Sequence, residues 1–274
     1  MTFTSNTIQA NGIEQHYYRS GGTKPPLVLL HGFTDDASCW FPVAELLAQD
    51  YDLILPDARG HGKSARIADI GFSNEALAED VAALIQALGL NRPAVLGHSM
   101  GGFTALILAA THPDRVGCLL LEDPPLAPPP TPEMEAARDP GMRQWAENMR
   151  RMQGQSLEAL VADEQSRSPR WSIAELQPWA ASKHRVDLAV FEARSPRPLW
   201  QPLMQQVQCP MLLLYGDTHT LVDATIAQEA VALWQNGQAV QISQAGHCIR
   251  RDNLTDYLQA VREFLRGHYL VKPD

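Results

Sequence analysis

The sequence predicts an α/β protein built on a doubly wound, mainly parallel sheet, and three observations carry that expectation. Short, wholly apolar runs such as Leu27–Leu30 and Met211–Leu214 lack the alternation of a half-exposed sheet, as strands covered on both faces do. Amphipathic stretches separate these runs, and repeated strand–helix–strand units call for right-handed crossovers within a parallel sheet. The pentapeptide Gly97-His98-Ser99-Met100-Gly101 stands where one of the strands passes into a helix.

Each element has its own justification. Thr7–Ala10 and Gln15–Tyr18 flank Asn11-Gly12 and read as a hairpin with an Asn-Gly turn. Pro25 and Pro26 introduce the strand Leu27–Leu30, which ends in His31-Gly32-Phe33. Asp36–Ala48 reads as a helix whose inner face carries Trp40, Val43, Leu46 and Leu47. Tyr51–Leu55 is the next strand, and Pro56–Ser64 its exit loop. Ser73–Leu88 places Leu77, Val81, Leu84, Ile85 and Leu88 at helical spacing. The strand Pro93–Leu96 and the helix Phe103–Ala110 bracket the serine, and Val116–Glu122 is another buried strand.

The alternation then stops. From Pro124 to Gln208 come Pro124-Pro125, Pro128-Pro129-Pro130 and four of the six tryptophans, Trp145, Trp171, Trp179 and Trp200. A linker would be polar and poor in aromatics, so 124–208 is expected to be a helical insertion into a core made of 1–123 and 209–274. The pattern resumes with a strand at Met211–Tyr215, its exit turn Gly216-Asp217, a helix over Ala224–Trp234 and a strand over Ala239–Ser243. Gly246-His247 follows on a loop, and Leu254–Leu265 closes the chain as a helix.

Composition bounds the function. With 274 residues, 45% hydrophobic and 19% charged, the chain is an ordinary globular one. Its net charge of −9 argues against nucleic acid or an anionic membrane as partner. No apolar run reaches membrane-spanning length, and Met1–Asn6 lacks the features of a signal peptide, so a cytoplasmic protein is expected. Cys39, Cys118, Cys209 and Cys248 have no redox or metal spacing, and the nine histidines form no H-E-x-x-H pair. Reduced thiols, no metal and no cofactor are therefore expected.

The chemistry begins at Ser99. G-x-S-x-G between a strand and a helix is a turn so tight that the serine hydroxyl projects free. A serine needs a base, and the base an orienting partner. His247 follows the last strand and emerges at the carboxyl edge of the sheet, where sites of open α/β sheets form. The backbone N–H of Met100 and that of Phe33 are the candidate pair of donors for an oxyanion. Arg59, His61 and His98 read as structural.

Taken together, His31-Gly32-Phe33, Asp57-x-Arg59-Gly60-His61-Gly62-x-Ser64, Gly97-His98-Ser99-Met100-Gly101-Gly102 and Gly246-His247 resemble the α/β-hydrolase superfamily. The likeness is to its small serine esterases, lactonases and cofactor-free haloperoxidases, and it spans the chain apart from the insertion. The resemblance implies an α/β-hydrolase fold whose insertion is a cap over the site, its apolar tryptophans and methionines forming a ceiling. It also implies a Ser99–His247 pair completed by an acid. Members usually carry that acid three residues past the glycine ending the strand at Tyr215, and that position is His219 here. Two carboxylates compete for the role. Asp217 directly follows Gly216; Asp123 ends the strand after the serine's helix, where some haloalkane dehalogenases and fungal lactone hydrolases carry theirs. Asp123 is preferred, against the alternative that it only caps the Pro124-Pro125 turn.

The implied activity is hydrolysis of a small or medium carboxylic ester or lactone through an acyl-enzyme on Ser99. The same machinery allows C–C bond hydrolysis or perhydrolase/haloperoxidase chemistry, and the fold also serves ligand receptors. Epoxide and haloalkane relatives carry aspartate at the Ser99 position, which disfavours those substrates.

Overall fold

The computed structural model of the chain describes residues 2–67, 70–127, 131–193, 195–234 and 237–269. The run Pro128–Pro130 lies outside them. Strands β1 (Thr4–Ala10) and β2 (Ile13–Arg19) form the expected hairpin, extended at both ends. Its turn has Asn11 and Gly12 both at positive φ, the geometry that makes Asn-Gly the favoured hairpin pair.

From there strands and helices alternate. They run β3 (Pro26–Leu30), α1 (Phe41–Leu47), β4 (Asp52–Pro56), α2 (Asn74–Ala87), β5 (Ala94–His98), α3 (Met100–Thr111) and β6 (Cys118–Glu122). Helices α4 (Pro132–Gln153), α5 (Leu157–Arg167), α6 (Ile173–Lys183) and α7 (Trp200–Gln206) come next. The chain finishes with β7 (Met211–Tyr215), α8 (Ala224–Leu233), β8 (Gly237–Gln241), α9 (Ile249–Asp252) and α10 (Leu254–His268). The strands make one sheet in the order β1-β2-β4-β3-β5-β6-β7-β8, antiparallel at β1/β2 and β2/β4 and parallel elsewhere.

Side chains of the central strands alternate between two cores. Val28, Leu30, Val95, Leu119, Leu121 and Leu213 pack with α2, α3, α7 and α8. Leu27, Leu29, Leu96, Leu120, Leu212 and Leu214 pack with α1 and α10. Covered on both faces, β3 to β6 are apolar except at their ends, where Asp52, His98 and Glu122 stand, which is why alternation is missing from their sequences.

Several boundaries differ from the sequence expectation for local reasons. The helix expected over Asp36–Ala48 splits into a 3-10 turn at Ala37–Trp40, capped by Asp36, and α1. Pro42 in the first turn has no N–H to carry a helix backward. The expected Phe103–Ala110 helix already begins at Met100. The last strand lies two residues early, at Gly237–Gln241, because Asp217 takes the backbone N–H groups of Gln244 and Ala245 and turns the chain there.

The stretch expected as insertion is helical. Ser and Thr caps start its helices: Thr131, Ser156 and Ser172 each accept a backbone N–H of the first turn. Helix α7 packs with the core, its Trp200 and Met204 fully buried beside α3 and α8. Among the described residues no helix is long and apolar enough to cross a membrane.

Candidate active site

Four segments converge at the carboxyl end of the sheet. The first is the β5–α3 junction. Ser99 sits at φ +51° and ψ −116°, a conformation non-glycine residues rarely hold and that costs about 1–3 kcal/mol. Its N–H donates to the Glu122 carbonyl at 2.9 Å, which docks it to the end of β6. The turn is possible only with glycine around it. A Cβ at Gly97 would collide with the backbone of Gly101 and Gly102, and one at Gly101 with the carbonyls of Leu30 and His31.

The second segment is the loop after β8. His247 is about one-third exposed, and its Nδ1 lies 2.6 Å from Asp123 Oδ2. Thr220 Oγ1 and the backbone N–H groups of Leu221 and Val222 also donate to that carboxylate. With Nδ1 donating, Nε2 carries the free lone pair that a base needs.

Asp123 is the third, at the end of β6, fully buried and at φ +42°. It does not serve as a cap of the proline turn. Of the two competing carboxylates it is the one paired with His247. Asp217 is exposed and spends its oxygens on Gln244 N and Ala245 N at 2.8 and 3.1 Å. The position that usually carries the acid, His219, is exposed too. The residues right after it, Thr220 to Val222, supply donors that hold Asp123 instead.

The fourth segment is the turn after β3, closed by Asp35 N donating to Gly32 O at 3.1 Å. It runs against the serine: a Cβ on Gly32 would lie 3.4 Å from Ser99 Cβ. Phe33 is a central residue of this turn, and Met100 opens α3, where a first N–H has no intrahelical acceptor. Both expected donors thus border Ser99. The Ser99 hydroxyl makes no hydrogen bond to the His247 ring among the described contacts. That link often forms only when substrate closes the site.

Above these groups lies an apolar cluster. The Phe33 ring meets Trp145 of α4 and Phe191 edge-on, at 4.9 and 5.0 Å between centroids. Met100, Phe72 and Met149 belong to the same cluster. Of the four tryptophans expected in the ceiling, only Trp145 joins it. Trp171 and Trp179 stack on Arg251 and Lys183, and Trp200 is in the core.

Arg59 grips Asp80 with two 2.6 Å hydrogen bonds. The His61 Nδ1 bonds to the Arg59 carbonyl, and burial pushes its pKa down to about 3. His98, expected to be structural, touches the site directly: Nε2 donates to the His247 carbonyl at 3.0 Å. Burial, with Arg250 and His247 adding to it, holds His98 well below the usual histidine range. It is therefore a neutral donor to the base's own backbone. Sequence reading also missed a buried charge cluster behind the site: Asp35, Glu122, Glu175, Lys183, Arg250 and Arg251. Its one legible sign was the pair Arg250-Arg251 so close after His247. Among the described residues no group of three or more His, Cys, Asp or Glu side chains converges as a metal site would require.

Comparison with known proteins agrees with the fold. The model of the α/β hydrolase fold family matches residues 25–252. The chain is 30% identical to N-formylmaleamate deformylase of Pseudomonas putida, over 96% of this chain and 97% of that one. It is 26% identical to a 2-hydroxy-6-oxononadienedioate/2-hydroxy-6-oxononatrienedioate hydrolase of Paraburkholderia xenovorans, over 92% and 91% of the two chains. The crystal structure of an enol-lactonase from Burkholderia xenovorans superposes with a TM-score of 0.77 at 26% identity, covering 95% of this chain and all of that one.

Proposed function

The chain belongs to the α/β hydrolase fold family, and from that premise we propose that it is a serine hydrolase removing an activated acyl group from a small organic acid. The observation that carries the proposal is the 2.6 Å His247–Asp123 contact beside a serine held in a strained turn. Ser99 Oγ attacks the substrate carbonyl while His247 Nε2 takes its proton. Asp123 orients the imidazole and stabilises the imidazolium. The N–H groups of Met100 and Phe33 receive the developing oxyanion. His247 then protonates the leaving atom, and the acyl group stays on Ser99. Water, giving its proton to His247, attacks the ester carbonyl and frees the acid.

The residues alone favour an ester or lactone. The likeness to an enol-lactonase supports a lactone, and the likeness to a deformylase extends the same tetrahedral chemistry to an N-formyl amide. An enol oxygen and an acylated amide nitrogen share one property: each departs with its electrons delocalised into a neighbouring π-system. Activated acyl donors of that kind are the proposed substrates.

The test uses p-nitrophenyl acetate, vinyl acetate, ethyl acetate and N-formylmaleamate. Steady turnover of the activated donors is expected, with ethyl acetate lower by at least about tenfold in kcat/KM, a difference of roughly 1.4 kcal/mol in barrier. A fluorophosphonate should label Ser99, and Ser99→Ala should abolish both labelling and turnover. A single burst with no turnover on any donor would point to a ligand receptor. C–C bond hydrolysis is a second reading, favoured by the likeness to the oxononadienedioate hydrolase. Cleavage of such a diketo acid with no ester turnover would select it.

A further inference from the structure

A buried lysine of the insertion bonds to the turn that carries Phe33. Lys183, the last residue of α6, is 3% exposed, and its ammonium meets three acceptors. They are Thr34 O at 3.0 Å, Thr34 Oγ1 at 3.3 Å and Asp35 Oδ1 at 2.9 Å. An ammonium has three protons to give, and all three are engaged on two consecutive residues of the turn. The neighbouring Ser182 hydroxyl lies 3.2 Å from the same Thr34 carbonyl, but its one proton has a nearer acceptor in the Trp179 carbonyl at 2.7 Å.

The turn needs holding. Thr34 has φ +70°, in a left-handed region that suits glycine or asparagine at the third place of a turn and penalises a β-branched residue. Such a conformation persists only when its surroundings over-determine it. Asp35 is fixed on its other oxygen by Arg251 at 2.8 Å, with Arg250 at 3.7 Å. Burial would raise its pKa, but the charges of Arg251, Lys183 and Arg250 hold it well below the usual carboxylate range. Lys183 is itself well seated. Its carbonyl accepts from Gln153 of α4 at 3.0 Å, and its ammonium lies over the Trp179 ring at 4.9 Å.

We propose that Lys183 is a positioning residue for acyl transfer, fixing from α6 the turn that aims the Phe33 N–H at the oxyanion. The inference rests on the reading of Ser99 as nucleophile and Phe33 as oxyanion donor. It makes the insertion part of the catalytic geometry as well as a roof. Formation of the oxyanion site then depends on α6 being docked. Because the clamp touches the turn and not the substrate, its loss falls on the transition state: kcat drops while KM moves little.

Lys183→Met keeps the length of the side chain and removes its donors; Asp35 keeps Arg251 as partner. The measurements are the second-order rate of Ser99 labelling by a fluorophosphonate, which places charge on a phosphoryl oxygen in the same site, and kcat and KM for p-nitrophenyl acetate. Lys183→Met is expected to slow labelling and kcat by about 10- to 100-fold, as displacing a catalytic group by about 1 Å does, with KM within about threefold. Lys183→Gln, which keeps donors but removes the charge and shortens the side chain, should show a smaller fall in the same direction. Should Lys183→Met not fold, Lys183→Gln decides. A folded variant with wild-type labelling rate and kcat, whatever its melting temperature, overturns the inference alone. Wild-type protein that takes no label at Ser99 overturns the serine reading and this inference together.

Discussion

At the scale of single residues, the choice between two carboxylates is set by what else each one binds. Asp123 has no exposure, three donors from the 220–222 loop and the His247 ring. Its burial is tolerable because every donor is aimed at it. Asp217, two residues past β7, anchors the Gln244–Ala245 turn. Asp123→Asn should therefore cost about four orders of magnitude in kcat, the loss known when an orienting acid becomes an amide in a comparable triad. Asp217→Ala should leave kcat within a few-fold. It removes two hydrogen bonds to backbone, each worth about 1 kcal/mol, so urea midpoints should show about 1–2 kcal/mol of lost stability. Steady-state rates and urea curves on both variants check the pair, and the reverse ranking in kcat would mean that Asp217 is the acid. Ser99 and Asp123 show what such sites demand of the backbone: both hold positive φ without being glycine, at the carboxyl ends of adjacent strands.

At the scale of elements, the glycines separate positions that must lack a side chain from positions that merely do. A Cβ at Gly101 would enter the carbonyls of Leu30 and His31, so α3 would have to lift away from β3. Gly101→Ala should lose about 3 kcal/mol, the upper part of the usual overpacking range, together with activity. Gly141 lies inside α4 with nothing within 4 Å of a built Cβ. Gly141→Ala should raise stability by about 0.5–1 kcal/mol, since alanine loses less entropy in a helix. Thermal melts of the two variants in opposite directions are the expected result. The same contrast explains what was legible in the sequence. The β5–α3 junction and the apolar strands declare themselves because their constraints are local: Gly97, Ser99 and Gly101 act within five residues, and Leu27–Leu30 within four. Asp123 could be preferred only because it ends the strand where some relatives carry their acid. The clamp on Thr34 could not, because Lys183 lies 149 residues further on, and nothing local marks a lysine for burial. Nor could the place of α7, whose Trp200 resembles a ceiling residue by type but packs in the core.

At the scale of the whole molecule, the buried ionisable groups decide how the fold answers to acid. His61 and His98 are enclosed and held neutral, His61 down to about 3 and His98 well below the histidine range, burial being the largest cause for each. In the unfolded chain both titrate near 6.5. As pH falls below that value the unfolded state takes up two protons that the folded state refuses, so stability falls with pH at up to about 1.4 kcal/mol per unit for each group. Asp35, with its depressed pKa, adds a loss of the same sign only below the ordinary carboxylate range. Glu175 opposes them. Burial chiefly raises its pKa against the pull of Arg251, so it favours the folded state at low pH and loses that contribution as pH rises through its folded value. Between pH 6 and pH 5 the two histidines dominate, and unfolding free energy from urea titrations should drop by about 2 kcal/mol. His61→Gln removes one of the two titrating groups and keeps a side chain able to bond the Arg59 carbonyl, so its drop over that unit should be about half as large. A wild-type stability that stays flat from pH 7 to pH 5 would mean that both rings protonate inside the fold. His98 would then carry a charge 3.0 Å from the His247 carbonyl, and the base could no longer rest on a neutral support.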